Sequence, residues 1–464
     1  MRIDPTLGAL RFGTGLRPGV VPPRTVENML TYAQRDAIAR EFQLPLHGGE
    51  SAQINLQTQL LKEHRQNKRA GLKDTPEGQA THRALGQVNA ELRRDRLRML
   101  ANTVARGVHT DHGLTERLVW FWADHFTAQG KTYRHEAWAG DYLDRAIRPH
   151  VLGRFEDMLA AAITHPMMLH YLDQSASIGP NSRKGGEDSD RGINENLARE
   201  VLELHTLGVG GPYTQGDVQA LAAALTGWTE KLGRGTTFKL NQAEPGPFTI
   251  MGQTYGTAKR SVDDLLPLAR DLARHPVTAH HIARKMAVHF VADTPSDDLV
   301  RAMTDSYLAS DGDLLAVTDT MLRHPESWAA EMRNIKWPLE YVTAALRSLG
   351  LPAAVMHKMK PRRIVDLLES PLRKMGQGWQ KASGPDGLAE ADDRWITPQG
   401  LAARLEWALS APDQLLVRVP DPRQVLTDAL GDTAPQSLRF AVDSASLRKE
   451  GIALIFASPA FQRR

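Results

Sequence analysis

Apolar residues recur every three to four positions along most of the chain, which is the period of an amphipathic α-helix. Residues 27–42 and 82–105 show the pattern clearly, with charged side chains on the opposite face. The dipeptide His-Pro occurs three times, and proline suits the first helical turn because the amide hydrogen that it lacks would have no partner there. The sequence therefore predicts an all-α protein with helices that begin at Pro166, Pro276 and Pro325.

One segment departs from the helical pattern. Residues 236–256 contain two runs with strand character, FKL and FTIM, on either side of a Pro-Gly pair, and this arrangement predicts a β-hairpin insertion. Gly- and Pro-rich breaks at irregular spacing favour a compact multi-helix bundle over a solenoid. The polar stretches 175–194 and 376–393 are predicted loops, and loops of this length often cover binding sites.

Composition excludes several classes of protein. The 464 residues carry a formal charge of only +3, which is too small to indicate a nucleic-acid partner. The chain has no cysteine, so zinc–thiolate sites and thiol nucleophiles are excluded. It has neither an apolar run long enough for a membrane span nor an N-terminal signal segment. We therefore expect a soluble protein that is cytoplasmic as written, or periplasmic or exported if a leader was removed.

The most polar helical motif is NENLAREVLELHTLG, residues 194–208. Asn194 suits the N-cap of a helix, and Gly208 suits the left-handed position just past its end. His205 falls on the apolar face and is predicted to be buried. The opposite stripe is either a solvated face with i,i+4 ion pairs or a set of ligands; it comprises Asn196, Arg199, Glu200, Glu203 and Thr206.

Two further helices carry a polar residue on an apolar face. His125, within residues 114–130, is predicted to point into the core, where it could meet His205 across a helix interface. Asp173, at the end of residues 166–174, follows the apolar stripe of its helix. A buried carboxylate is costly unless it is paired or coordinated, so Asp173 requires a partner.

Imidazole and carboxylate groups from separate helices are how bundles build metal sites, and Zn, Mn or Fe accepts such ligands. His125, Asp173 and Glu200 are the candidate metal ligands, and one divalent metal is the candidate cofactor. The same three residues, together with Glu203, are the candidate catalytic groups of a metal-free acid/base site. The chain lacks the paired Glu-x-x-His and the His-Glu-x-x-His motifs of known metal enzymes.

Candidate ligand-binding residues lie in and beside the first predicted loop. Arg183, Lys184 and Arg191 can hold an anionic ligand together with backbone amides, and Asn196 follows them on the helix. A solvated loop is the alternative. Tryptophans such as Trp120 can stack on a sugar ring, although tryptophan in a helical stretch is more often a core residue.

Several long motifs occur in a fixed order: LVWFWADHF, HPMMLHYLDQSASIGPNSRKGG, NENLAREVLELHTLG and YTQGDVQALAAALTGW. Together they resemble the bacterial domain-of-unknown-function family 1800. The resemblance runs from about residue 110 and divides the chain into an N-terminal helical region, 1–109, and a family core, 110–464. Many members carry Asn where this chain has Ala123 or Asp124, so the resemblance carries no role over to Asp124.

The resemblance implies a helical fold, a bacterial source, export of many members and a neighbouring phosphatase- or sulfatase-like partner protein, but no reaction. The favoured hypothesis is a hydrolase- or transferase-like enzyme that acts on an anionic or envelope-associated substrate. Its site would include His125, Asp173 and Glu200 under the loop 175–194. The alternative is a non-catalytic helical scaffold that binds a partner enzyme or a cell-envelope polymer. Convergence of these side chains on an open pocket would favour the enzyme.

Overall fold

The computed structural model describes residues 1–47, 51–186 and 192–464. Within these ranges the chain is predominantly helical and has two small antiparallel sheets, which confirms the all-α prediction. In the described part of the chain, no helix combines the length and the apolar character needed to cross a membrane.

The first half of the chain places short helices around the long helix Pro76–His109, against which the helix Ala52–Arg69 packs. The α-helices of this half are α1 (Pro5–Arg11), α2 (Val26–Arg35), α3 (Ile38–Glu41), α4 (Ala52–Arg69), α5 (Pro76–His109), α6 (Leu114–His125), α7 (Tyr133–Glu136), α8 (Ala139–Asp141), α9 (Phe155–Thr164), α10 (Pro166–Tyr171), α11 (Asn196–Glu200) and α12 (Gln215–Leu225).

The second half adds helices that pack in pairs, for example the helix Pro398–Leu415 against the helix Arg448–Ala457. They are α13 (Leu265–Arg274), α14 (Pro276–Phe290), α15 (Asp297–Ala309), α16 (Leu314–Arg323), α17 (Pro338–Ser348), α18 (Ala353–His357), α19 (Pro361–Ile364), α20 (Ser370–Lys374), α21 (Pro398–Leu415), α22 (Pro422–Leu430), α23 (Gln436–Asp443), α24 (Arg448–Ala457) and α25 (Pro459–Gln462).

The three His-Pro dipeptides begin helical segments, as predicted: α10, α14 and the 3₁₀ turn Pro325–Trp328. In each case the histidine also caps the helix. Nδ1 of His165 accepts a hydrogen bond from the amide of Met167 at 3.2 Å, and His275 accepts one from Val277 at the same distance. The proline supplies the helical φ angle while the histidine satisfies a free amide, so the dipeptide is a complete helix start.

The predicted β-insertion is present, but its strands pair differently. β1 (Trp228–Lys231) pairs with β2 (Gly235–Phe238), and β3 (Phe248–Ile250) pairs with β4 (Gln253–Tyr255). The Pro-Gly pair therefore separates two hairpins instead of turning one. The left-handed glycines Gly233 (φ 72°) and Gly252 (φ 79°) lie in the actual turns, where glycine has no steric penalty.

A continuous hydrophobic core extends from Phe12 to Phe461 and draws residues from both of the predicted regions. Buried arginines join distant parts of the chain by donating to backbone carbonyls. Arg11 donates to the carbonyl of Ser327 at 2.7 Å, and Arg347 donates to that of Gly15 at 2.8 Å. Because these carbonyls would otherwise lack donors away from water, the arginines stabilise the contact between the N-terminal residues and the second half of the chain.

The motif 194–208 forms the predicted helix, with one irregularity. Asn194 Oδ1 accepts a hydrogen bond from the amide of Asn196 at 2.9 Å, and Gly208 is left-handed with φ 83°. The second half of the helix, Val201–Thr206, is wound as a π-helix. π-turns occur frequently at functional sites.

Candidate functional site

The polar stripe of α11 is largely an ion-pair ladder. Arg199 contacts Glu195 at 3.1 Å and Glu203 at 3.2 Å, and all three side chains are partly exposed. Asn196 is exposed. This part of the stripe is therefore a solvated face with i,i+4 ion pairs, which is one of the two interpretations that the sequence allows. Glu200 has no partner in this ladder.

His125 and His205 are buried and lie side by side, as predicted. Their ring centroids are 6.0 Å apart, and Nε2 of His125 lies 3.2 Å from the carbonyl oxygen of His205. Both ring nitrogens of His205 lack a hydrogen-bond partner among the described residues. Burial, and then the nearby ammonium group of Lys285, lower the pKa of His205 to about 3 and that of His125 well below its usual range. Both imidazoles are therefore neutral at pH 7.

Asp173 lies away from these histidines. It adopts a left-handed conformation with φ 56°, is exposed, and pairs with Lys131 at 2.5 Å. Among the described residues, the histidine–carboxylate group whose potential ligand atoms all lie within 4.8 Å of one another consists of other residues. His125, Asp173 and Glu200 are therefore not placed to bind one metal ion together.

The loop 175–194 packs on the β-insertion in its described part. The amide of Gly179 donates to the carbonyl of Gln242 at 2.9 Å, and the amide of Lys184 donates to that of Asn241 at 2.9 Å. The side chain of Arg183 is exposed. Arg191, the third predicted cation of this loop, lies outside the described residues.

A well-formed cleft lies beneath the other predicted loop, 376–393. Its walls come from α6, from the segment that follows α6 and from the start of α17. Trp120, Trp337 and Trp379 contribute aromatic surface, and Asp124 and Glu340 contribute carboxyl groups. An aromatic cleft with a few convergent polar groups is the usual form of a ligand site.

Asp124 is held in the wall of this cleft by the loop. Its carboxylate oxygens accept a hydrogen bond from the amide of Leu388 at 3.0 and 3.2 Å. Burial, and then the charge of Glu390, raise the pKa of Asp124 to about 8, although Lys285 acts in the opposite direction. Asp124 therefore carries a proton at neutral pH.

Glu390 lies on the same loop and contacts α14. Its carboxylate is 3.0 Å from Nδ1 of His289. Burial raises the pKa of Glu390 to about 7, against the opposing charges of Arg464 and Lys285. Burial also lowers the pKa of Lys285. Since His281, Lys285 and His289 follow each other at four-residue intervals, they form one polar face of α14 toward the site.

Glu340 is the third carboxyl group and differs from the other two. Its oxygens contact Arg117 Nε at 3.0 Å and Arg464 Nε at 2.7 Å. Burial alone would raise the pKa of Glu340, but the two guanidinium groups outweigh burial and hold the pKa at about 2. The site thus contains one carboxylate that is ionised at all ordinary pH values and two carboxyl groups that titrate near neutrality.

Acidic groups continue from the cleft toward α11. The charge of Asp386 raises the pKa of Asp124 and also contributes to the raised pKa of Glu200, after burial and Glu203. Burial, and then the charges of Glu200 and Asp386, raise the pKa of Tyr171. Glu200 and Glu203 therefore belong to an acidic patch that extends from α11 to the loop 376–393.

Comparison with known proteins gives one match. The profile of the family described as "Protein of unknown function (DUF1800)" matches residues 9–463. The chain belongs to the DUF1800 family. Searches of curated proteins and of solved structures returned no match for it. The family membership confirms the resemblance noted in the sequence.

In this member of DUF1800, sequence reasoning missed Asp124 and Glu390. On a helical wheel Asp124 falls outside the apolar face of α6, which is typical of an exposed residue. The structure instead buries the first turns of α6 on every side, Glu116 and Arg117 included, and leaves Asp124 only partly exposed. The available signal was the composition of LVWFWADHF, since an acidic residue in so apolar a segment requires a special environment.

Proposed function

We propose that the protein is an acid/base enzyme of the hydrolase class whose active site is the cleft beneath the loop 376–393. The observation that carries the proposal is the placement of two carboxyl groups near Lys285: Asp124 lies in the cleft wall, and Glu390 lies on the covering loop, against His289. Pairs of titratable groups whose surroundings differ are the usual basis of acid/base catalysis.

The two carboxyl groups take different roles in this proposal. Asp124 is protonated at neutral pH and donates its proton to the leaving group as the scissile bond breaks. Glu390, with a pKa of about 7, is partly ionised and accepts a proton from the attacking water. His289 positions Glu390 through the 3.0 Å contact. Asp124 loses one proton and Glu390 gains one in each turnover. Proton exchange with solvent then restores the starting protonation states of both groups.

The walls of the cleft indicate the class of substrate. Trp120, Trp337 and Trp379 are mostly buried and present only small parts of their rings to the cleft. Tryptophan surface of this kind packs against sugar rings, and the acidic patch around Asp386 repels anions. The basic residues Arg183 and Lys184, once candidates for an anionic ligand, lie on a loop that packs elsewhere. A neutral or cationic polysaccharide of the cell envelope therefore fits the cleft better than an anionic one.

The test combines binding and cleavage. Wild-type protein and the variants D124N and E390Q are incubated with cello- and chito-oligosaccharides between pH 6 and 8, and new reducing ends are measured. Tryptophan fluorescence reports binding. Asn preserves an acceptor for the Leu388 amide but has no proton to donate, so we expect cleavage to fall by roughly a hundredfold or more while binding is retained. The exposed Asp305 provides a matched control, D305N.

A second candidate function is supported by the ion pairs of Glu340. Arg117 and Arg464 form ion pairs with this carboxylate, as expected for a buried structural network in a non-catalytic scaffold. Such a scaffold would bind an envelope polymer in the same cleft, or a phosphatase- or sulfatase-like partner. Wild-type protein that binds oligosaccharides without cleaving them would favour the scaffold, and a lack of both binding and cleavage would contradict the assignment of the cleft to a polysaccharide.

A further inference from the structure

Three polar side chains form a hydrogen-bonded chain at the start of α4. Oγ of Ser51 lies 3.1 Å from Nδ1 of His47, and Nε2 of the same ring lies 3.1 Å from Oδ2 of Asp95 on α5. Ser51 and His47 are only 5% and 8% exposed, whereas the side chain of Asp95 is 30% exposed. A hydroxyl, an imidazole and a carboxylate are therefore aligned in this order, although Asp95 lies 48 positions beyond His47.

The carboxylate fixes the direction of both hydrogen bonds. An ionised carboxylate can only accept, so Nε2 of His47 carries the ring proton and donates to Asp95. Nδ1 of the neutral ring is left with a lone pair, and the Ser51 hydroxyl donates to it. In this tautomer the imidazole is ready to take the serine proton, which is the role of the general base in a Ser-His-Asp triad.

The capping of a helix does not by itself require this arrangement. Oγ of Ser51 accepts a hydrogen bond from the amide of Ile54 at 3.3 Å and so caps α4. Ser296 caps α15 in the same way, through the amide of Leu299 at 3.2 Å, but its hydroxyl donates directly to the carboxylate of Glu326. Both serines satisfy their helices, and of these two only Ser51 has an imidazole between its hydroxyl and a carboxylate.

The start of α4 also offers donors for an oxyanion. The first amides of an α-helix have no partner within the helix, and the Ser51 hydroxyl takes up that of Ile54. The amides of Ala52 and Gln53 come before it, and these two residues are exposed and partly exposed. Amides at the positive end of a helix, directly after a nucleophile, stabilise the negative oxygen of a tetrahedral intermediate.

The β-insertion holds the nucleophile from the other side. The amide of Ser51 donates to the carbonyl of Gly233, in the turn between β1 and β2, at 3.3 Å. Nδ2 of Asn55 lies 3.5 Å from the same carbonyl oxygen. A β-carbon at Gly233 would overlap Oδ1 of Asn55, so only glycine lets the turn approach α4 this closely. The backbone of Ser51 is thus fixed before any substrate binds, which is a requirement for efficient attack.

We propose that Ser51, His47 and Asp95 form a catalytic site that hydrolyses esters of small acyl groups. Ser51 is the nucleophile, His47 is the general base, and Asp95 is a positioning residue that orients the imidazole. The small exposed area of Ser51 favours a compact acyl group, such as acetyl, over a long chain. This site is separate from the cleft beneath the loop 376–393 and does not rest on the function proposed for that cleft.

The reaction proceeds in two stages that conserve atoms and protons. Oγ of Ser51 bonds to the ester carbonyl carbon while its proton passes to Nδ1 of His47, and the amides of Ala52 and Gln53 donate to the oxyanion. The bond to the alcohol oxygen then breaks, and the alcohol leaves with the proton from His47. Water attacks the acyl-serine in the same manner and releases the carboxylic acid and the free hydroxyl. Asp95 stabilises the imidazolium that forms in each stage.

The experiment uses the full chain and a fluorophosphonate probe, which bonds covalently to an activated serine. We expect the wild type to take up one equivalent, and peptide mass spectrometry to place it on Ser51. S51N removes the nucleophile but keeps a good helix cap, and it should not be labelled. H47Q lacks the general base and should be labelled more slowly by roughly a hundredfold or more.

The matched control is S296N, which makes the same exchange at the cap of α15 and should be labelled as fast as the wild type. Hydrolysis of p-nitrophenyl acetate tests the positioning residue: D95N should lower kcat by roughly a hundredfold or more and leave KM unchanged, because Asp95 acts only through His47. A circular-dichroism melt verifies that each variant is folded. A wild type that takes up no probe, a label on another residue, or a folded S51N that is labelled like the wild type would overturn the proposal.

Discussion

Gly387 lies directly against Asp124. A β-carbon at Gly387 would come within 2.6 Å of Asp124 Oδ2 and 2.8 Å of the Asp124 carbonyl oxygen, and Gly387 has a left-handed φ of 84°. Only glycine combines this close approach with this conformation at no steric cost. The contact brings the backbone of the loop 376–393 onto the carboxyl group and shields part of it from solvent.

The first prediction is that G387A separates the loop from Asp124. Because the added methyl group meets both the carboxylate and backbone atoms, we expect a loss of stability of about 1–3 kcal/mol and a fall in the pKa of Asp124 from about 8 toward its ordinary value. Urea unfolding gives the first quantity and carboxyl infrared absorption across a pH series the second. G86A, in open space on the exposed side of α5, should instead stabilise by about 0.5–1 kcal/mol.

The second prediction concerns stability against pH in D124N. The folded protein keeps a proton on Asp124 up to about pH 8, whereas the unfolded chain loses it near pH 4. Stability contributed by this group is therefore present at low pH and is lost as pH rises through 8. The free energy of unfolding of D124N relative to wild type should rise between pH 5 and 8.5. A constant difference would show that Asp124 is ionised throughout.

The third prediction is an early loss of stability in acid. Burial is the main cause that lowers the pKa values of His112 and His205 to about 3 and of His109 and His281 to about 4. The unfolded chain takes up these protons below about pH 6.5 while the folded protein does not. Each histidine can add up to about 1.4 kcal/mol per pH unit, and four of them outweigh the opposing pair Asp124 and Glu390.

Urea unfolding at pH 7, 6 and 5 measures this effect. We expect the free energy of unfolding to fall steadily over this range, well above the pH at which ordinary carboxylates are protonated. H112N, which keeps an acceptor for the Leu114 amide, should make the decline shallower. A flat profile between pH 7 and 5 would mean that these imidazoles are hydrated in the folded protein.

The fourth prediction compares two glutamates. E340Q would leave Arg117 and Arg464 buried without a counter-charge, and breaking a buried ion pair in this way costs about 3–5 kcal/mol. E203Q breaks the partly exposed pair with Arg199, which should cost less than about 1 kcal/mol. Chemical denaturation of both variants at pH 7 measures the contrast. Equal effects would show that water reaches Glu340.

Local patterns were sufficient to predict the helices and their ends. The His-Pro starts and the left-handed Gly208 depend on residues within a few positions, and both are found. The N-cap is Glu195, one position after the predicted Asn194, although Asn194 still accepts a hydrogen bond from the amide of Asn196. The predicted pairing of the strands in the β-insertion was wrong, because strand pairing is not determined by a local pattern. Periodicity identifies strands but does not say which neighbour each one joins, and here the turns lie at Gly233 and Gly252.

The candidate sites depend on contacts that no local pattern contains. Asp124 meets Leu388, 264 positions further along the chain, and His289 meets Glu390 after 101. The wheel correctly placed His125 in the core, yet it could not show that the polar side of α6 is buried as well.

The π-turn Val201–Thr206 lets this helix hold one residue more than ordinary winding would. Deleting one residue between Val201 and Leu204 would restore α-helical winding, and the side chains on either side would keep their directions. Glu200 would still face the acidic patch, and His205 would still face His125. A deletion within the regular helix α12 cannot be absorbed in this way, because every later side chain would rotate by about 100°. The extra residue thus gives the segment a length tolerance that its regular neighbours lack, and single deletions should be tolerated better here than in α12.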